Sequence, residues 1–347
     1  MDAMRVEDPT HVGRYQLLGR LGTGGMGQVW LGRGPDGELA AVKVALEPYA
    51  SDPRFRALFA REVTTARRVR APWSAAVLAA DPDADRPWLA TEYVAGPSLR
   101  EAVAAGGGLA EPDLLTLAAR LAEALAQLHA MGVVHRDLKP ANVLLAADGP
   151  RLIDFGIAHA LDDTRAGAAM GTPAFMSPEQ VSDDRAGCPS DVFSLASVLA
   201  FAASGQGPFG TTVTPVAMLS RIVHQPPNLT AVPRPLRDEL ERCLAKDPAH
   251  RPTAAELAVR FGALASGGGP WVTPAVRRLV DRAHRTPLGP CRQAWTPELT
   301  PRRERIPLLA VGLTVLTLLG GVAVAMSSPD DPAPHPTQVQ EVTRDSL

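Results

Sequence analysis

Lysine is scarce in this chain: Lys43, Lys139 and Lys246 are the only three among 35 basic residues, and all the others are arginine. A flexible ammonium does what a planar guanidinium fork does not, so the neighbourhoods of these three are the first to inspect. Cysteine is as rare. Cys188, Cys243 and Cys291 are odd in number, scattered and without CxxC spacing, which argues against a disulfide framework and a zinc site and fits a reducing compartment. An excess of either charge is also missing, the net charge being −2, so nothing in the totals calls for a nucleic-acid partner. No internal repeat occurs. Met1–Thr10 is polar and acidic and lacks the apolar core of a secretory signal, which puts the start of the chain in the cytosol.

What is present is apolar residue in quantity, 46% of 347 residues, enough for at least one full-sized core. A tail at 1–12 precedes one continuous region, 13–265, in which short β-like runs come first and longer helical periods follow. That order implies an α+β fold of two lobes, the smaller rich in strands and the larger helical. Residues 266–305 shift to Gly, Pro and Arg and read as a linker. Residues 306–326 are uncharged and rich in Leu and Val, roughly 31 Å long as a helix, which matches the hydrocarbon core of a bilayer. Arg302, Arg303 and Arg305 precede this stretch and Asp330 and Asp331 follow it. The expectation is a single-pass plasma-membrane protein with its N-terminal domain cytoplasmic and a short tail, 327–347, outside.

The chemistry begins at Leu21-Gly22-Thr23-Gly24-Gly25-Met26-Gly27-Gln28-Val29, a GxGxxG followed by x-Val. A dinucleotide-binding fold would place a helix after the last glycine, but Gln28–Leu31 is β-like and runs into the turn Pro35-Asp36-Gly37. Two strands therefore flank the glycines, whose bare backbone N–H groups suit phosphate oxygens. By itself the motif also fits a plain flexible hairpin. Lys43 follows in Leu39-Ala40-Ala41-Val42-Lys43-Val44, where alternation puts it on the face of Ala41. A solvated strand-edge lysine has the same pattern, whereas a phosphate-binding one needs an anionic partner, for which Glu62 in the helical stretch 55–69 is available. The richest stretch is Val134-His135-Arg136-Asp137-Leu138-Lys139-Pro140-Ala141-Asn142, with Asp154-Phe155-Gly156 beyond it. Phosphoryl transfer requires a proton acceptor for the attacking hydroxyl, hard oxygen ligands for a metal, and positive charge at the transferred group. Asp137 suits the first, Asn142 and Asp154 the second, and Lys139 the third.

With these residues in hand the chain resembles the eukaryotic-type (Hanks-type) protein kinases, and among them the bacterial transmembrane serine/threonine kinases, over about residues 13–265. The resemblance implies ATP with Mg²⁺, or Mn²⁺, as cofactors and protein Ser/Thr hydroxyls as acceptors. Lys43 matches the lysine on the α/β-phosphates, Glu62 its helix partner, Asp137 the catalytic base, Lys139 the γ-phosphate contact, and Asn142 and Asp154 the metal ligands. Glu92 and Val94 match the hinge that meets adenine, with Thr91 as gatekeeper, while Val29, Ala41 and Leu144 enclose the ring. Glu179 should pair with Arg251, and Asp191 should brace the catalytic loop. Lys139 and Thr172 are what resemblance to the Ser/Thr class implies. A pseudokinase scaffold would lack one of the chemical groups, and none is missing. A small-molecule phosphotransferase would usually lack the segment between Asp154 and Glu179. Within 157–171 the one hydroxyl residue is Thr164, expected to be autophosphorylated and to pair with Arg136. Thr317, Gly321 and Ala325 form a small-residue stripe through which two copies could associate as a homodimer.

Overall fold

Alternating apolar and polar residues in the N-terminal part build an antiparallel sheet. The computed structural model describes residues 2–24, 27–155, 173–182, 186–211, 214–265, 271, 277, 278 and 281. The strands are β1 (His11–Val12), β2 (Tyr15–Thr23), β3 (Gly27–Arg33), β4 (Leu39–Ala45), β5 (Val77–Asp81) and β6 (Trp88–Glu92), in the order β1-β2-β3-β4-β6-β5. Period-two alternation gives β4 two unlike faces. Ala40, Val42 and Val44 join Tyr15, Leu17, Trp30, Trp88 and Ala90 in an apolar cluster on the outer face. Ala41 and Lys43 turn to the inner face.

One helix, α1 (Pro53–Arg68), crosses that inner face. Asp52 caps it by accepting the Arg54 N–H, and Pro53 in its first turn presets the backbone. Its apolar stripe, Phe55, Phe59 and Val63, closes a small core with Ala45 and Leu89. This packing turns Glu62, the next residue on the same side, toward Lys43.

The connection from β6 ends at Ser98, which forms a capping box with Glu101 at the start of α2 (Leu99–Gly106). The second lobe then follows: α3 (Glu111–Ala130), the hairpin β7 (Val143–Ala146) and β8 (Gly149–Leu152), α4 (Pro178–Val181), α5 (Cys188–Ser204), α6 (Pro215–His224), α7 (Arg234–Cys243) and α8 (Ala254–Ala265). Leu117, Leu121 and Leu125 of α3 share one core with Val192, Leu195 and Leu199 of α5 and Leu257 and Phe261 of α8. The α5 sequence is apolar on nearly every side, and the helix is accordingly buried on nearly every side, as a central helix must be. It stops at Gly205, whose φ of 77° few other residues adopt.

Two segments at the margins of 13–265 are tied to it. Residues 2–12, polar enough in composition to read as a tail, lie along the sheet, with Asp2 bridged to Arg20 and β1 paired to β2. Trp271 packs on the helical core, and its indole N–H donates to the Ala146 carbonyl at 2.8 Å. Among the described residues no helix is long and apolar enough to cross a membrane. The apolar stretch 306–326, its tail and the Thr317/Gly321/Ala325 stripe lie outside those residues.

Candidate active site

β2 and β3 form the glycine-rich hairpin, in which Gly22 stands opposite Val29 and Thr23 opposite Gln28, while the Gly24 N–H donates to the Gly27 carbonyl at 2.9 Å. Leu21, Gly22, Thr23, Gly24, Gly27, Gln28 and Val29 thus share this hairpin, and Gly25 and Met26 lie outside the described residues. Val29 is also opposite Lys43 on β4, so the hairpin and the lysine are adjacent rungs of one sheet.

The Lys43 ammonium lies 3.1 Å from Asp154 Oδ1 and 3.7 Å from Glu62 Oε1. Burial alone would drive it toward the neutral amine, but the Asp154 and Glu62 carboxylates outweigh that cost and hold its pKa above the ordinary value. Burial raises the pKa of Glu62, against the pull of Lys43. Lys43 and Asp154 are 111 residues apart in sequence, so this contact joins the sheet to the helical lobe.

Asp137, Lys139 and Asn142 form a second cluster. Lys139 Nζ donates to Asp137 Oδ2 at 2.7 Å, and the Asn142 amide nitrogen donates to the Asp137 carbonyl at 2.8 Å and to Oδ2 at 3.0 Å. With its N–H groups directed at Asp137, Asn142 has no partner for its side-chain oxygen among the described residues, which leaves that oxygen able to serve a metal. The Ile153 N–H donates to the Asn142 carbonyl at 3.0 Å, which ties Asn142 to the strand leading into Asp154. The donor set is therefore an amide and a carboxylate oxygen, both hard ligands that suit Mg²⁺. No group of three or more His, Cys, Asp or Glu residues able to hold a metal occurs among the described residues.

The loop that carries Asp137 is held by Asp191, only 1% exposed. Its carboxylate accepts the main-chain N–H groups of His135 (2.7 Å) and Arg136 (2.8 Å) and contacts His129 Nε2 at 2.8 Å. Arg136 and Asp154 have φ of 65° and 54°, a left-handed conformation that costs of order 1–3 kcal/mol in non-glycine residues and persists where the surroundings overdetermine it. At Arg136 those surroundings are the Asp191 bond and the Gln180 amide, which donates to the Arg136 carbonyl at 2.9 Å. Its buried Nε has no partner among the described residues. Thr164 and Thr172 lie outside them.

Further out, Arg251 forms a bidentate pair with Glu179 at 2.7 and 2.8 Å. Its remaining N–H groups donate to the carbonyls of Ala245, Pro189 and Lys246. Burial opposes ionisation of Glu179, but the Arg251 and Ser190 hydrogen bonds win and keep its pKa low.

The residues expected around a planar ring come from separate elements. Ala41 stands opposite Thr91, Glu92 ends β6, Val94 follows in the connection, and Leu144 on β7 is bridged to Ser98. Two contributors escaped the sequence reading. His129 carries no local pattern that points at Asp191, 62 residues away. Gly96 sits where a Cβ would come within 2.2 Å of the Leu145 carbonyl, and a glycine in a connection marks close approach only once its neighbour is known.

The chain matches the protein kinase domain family over residues 15–260. It is 48% identical to the probable serine/threonine-protein kinase PkwA of Thermomonospora curvata over 292 residues, which cover 83% of this chain and 39% of that protein. With the serine/threonine-protein kinase AfsK of Streptomyces coelicolor it shares 45% identity over 273 residues, 78% of this chain and 34% of the relative. The chain thus spans well under half the length of these relatives. Among solved structures, the crystal structure of the Mycobacterium tuberculosis PknI kinase domain aligns with a TM-score of 0.60 at 27% identity, covering 75% of this chain and 99% of that domain.

Proposed function

We propose that this chain, which belongs to the protein kinase family, transfers the γ-phosphate of ATP to serine or threonine hydroxyls of proteins. The observation that carries the proposal is the pair of clusters just described. Lys43, Glu62 and Asp154 form one and Asp137, Lys139 and Asn142 the other. They supply the positive charge, the hard oxygens and the proton acceptor that the reaction needs. Asp137 accepts the proton of the attacking hydroxyl. Lys139, paired to Asp137, would offset the charge of the transferred phosphoryl group. Lys43, held protonated by two carboxylates, orients the α- and β-phosphates. Asn142 and Asp154 would hold Mg²⁺, which when bound draws charge from the phosphate oxygens. The names of the relatives support the Ser/Thr class, as does Lys139 two residues after the base.

The test is Asp137→Asn. It should keep the fold and ATP binding and lower phosphoryl transfer at least about 10²-fold, measured as phosphate incorporated into a generic protein substrate. Near-wild-type turnover would overturn the assignment. Lys43→Met should likewise abolish transfer, and full-rate autophosphorylation in that variant would place the essential lysine elsewhere.

The proposal extends to the membrane and to regulation. The apolar run 306–326 would anchor the enzyme in the plasma membrane, with the kinase domain on the cytoplasmic side beside its arginine-rich flank. The full chain should then fractionate with membranes and a 1–281 fragment with the supernatant. Thr164 is the expected autophosphorylation site and Arg136, whose Nε has no partner among the described residues, the group that would bind the phosphate. Peptide mapping that finds phosphate everywhere except Thr164 would sink that assignment. Replacing Gly321 with Leu tests whether the small-residue stripe pairs two copies, through loss of crosslinking in membranes.

A further inference from the structure

Beyond the β1–β2 pairing, the first twelve residues grip the sheet most tightly at Arg20. Asp2 exchanges both main-chain hydrogen bonds with it, each 2.9 Å. The Arg20 Nε donates to Asp8 Oδ2 at 2.9 Å and a second guanidinium N–H to Oδ1, while the Arg5 N–H donates to Oδ2 at 2.8 Å. The guanidinium lies over the Trp30 ring, 5.3 Å from its centroid. The Asp8 side chain is only 4% exposed, so this is no loose surface pair.

Arg20 also lies between two irregularities of the glycine-rich hairpin. The β2–β3 register shifts between Leu17 and Gly19 and again between Arg20 and Gly22. Such irregularities leave backbone groups unpaired and let a strand bend. β1 and Thr10 shield β2 from Tyr15 to Leu17, and at Arg20 the outer edge is covered by Asp2. The rungs then distribute the contact between faces. Arg20 is opposite Trp30 and Trp30 opposite Val42, whose side chains pack in the outer cluster, whereas the next rung, Gly22, Val29 and Lys43, belongs to the inner face. The N-terminal segment therefore holds the outer side of the strands whose inner side roofs the proposed nucleotide site.

We infer that residues 2–12 are a strap that fixes the glycine-rich hairpin for nucleotide binding, with Asp8 and Arg20 as positioning residues. The inference rests on the ATP-binding reading of the hairpin. Neither residue touches Asp137, Lys139 or Asn142. Cutting the strap should consequently weaken nucleotide binding and leave the chemical step alone.

The experiment uses the full chain in detergent, with Asp8→Asn, Arg20→Ala and the conservative Arg20→Lys. A fluorescent ATP analogue gives Kd, steady-state assays give KM for ATP and kcat, and hydrogen exchange reads the amides of 20–31. The first two variants should raise Kd and KM about fivefold with kcat unchanged and with faster exchange in the hairpin. Arg20→Lys, which keeps the charge and loses the fork, should fall between. Unchanged exchange and affinity beside a lowered melting temperature would overturn the strap and leave these residues as fold support only. A wild-type chain that binds no nucleotide would instead overturn the ATP reading. The exchange result would then decide the strap by itself: faster exchange in the variants supports it, and unchanged exchange overturns it.

Discussion

Arg251 illustrates what a single residue can bear. Its side chain is 0% exposed, and each of its five N–H groups has a partner: two go to Glu179 and three to main-chain carbonyls. A lysine cannot fill that fork, because its compact ammonium has three donors and no planar geometry. Arg251→Lys should destabilise the domain by about 3 kcal/mol, since a buried carboxylate loses its bidentate partner. The check is a lower urea midpoint at constant m. Lys246 is used differently. Its ammonium sits 4.3 Å from the Phe209 ring centroid and donates to the Ile222 carbonyl. The scarce lysines thus mark different needs: Lys43 and Lys139 lie in the candidate site, and Lys246 lies in packing beside Arg251.

At the scale of elements, the contact between the inter-lobe connection and β7 is one of the places where the two lobes meet. The Leu145 N–H donates to the Pro97 carbonyl at 2.8 Å, and the Leu145 carbonyl faces Gly96 with no room for a Cβ. Gly96→Ala should push the connection off β7 and displace Leu144 and Val94 from each other. The expected cost is about 1–3 kcal/mol of stability, with a raised KM for ATP. Wild-type affinity together with wild-type stability would show that the connection yields freely. The glycine motif, the His-Arg-Asp stretch and the strand of Lys43 were legible in sequence because each is local. The approach of Gly96 to Leu145 was not, because it joins chain segments that no spacing relates.

For the whole molecule, pH dependence follows from a group that never reaches water. Burial keeps the His135 pKa below its ordinary 6.5, and its ring nitrogens have no partner among the described residues. As pH falls through 6.5 the unfolded chain takes up a proton at this residue and the folded chain does not, so stability declines toward acid pH. His135→Phe, which retains a ring against Phe155, should flatten the loss below pH 6.5 in thermal melts. Glu179 acts in a lower window. Its folded pKa is depressed, so its contribution is present above the unfolded value of 4.5 and disappears as pH falls through the folded one. Arg251→Lys should reduce that second loss, which separates the two groups by titration.

The sequence by itself determined the order of strands before helices, the residue types able to move a phosphoryl group, and the chain segments that carry them. Local periodicity and short spacings encode these, and they need no knowledge of distant contacts. Only the tertiary structure decided that Asp154 meets Lys43, that Asp191 and His129 hold the loop of Asp137, and that the polar first twelve residues belong to the sheet. The first two depend on contacts between segments far apart in the chain, and the third on a nearby edge that composition does not reveal. The strap shows the reason most directly. Asp2 and Asp8 have the composition of a solvated tail, and they become structural because Arg20, at an irregular point of β2, offers an open backbone edge and a guanidinium that they can satisfy.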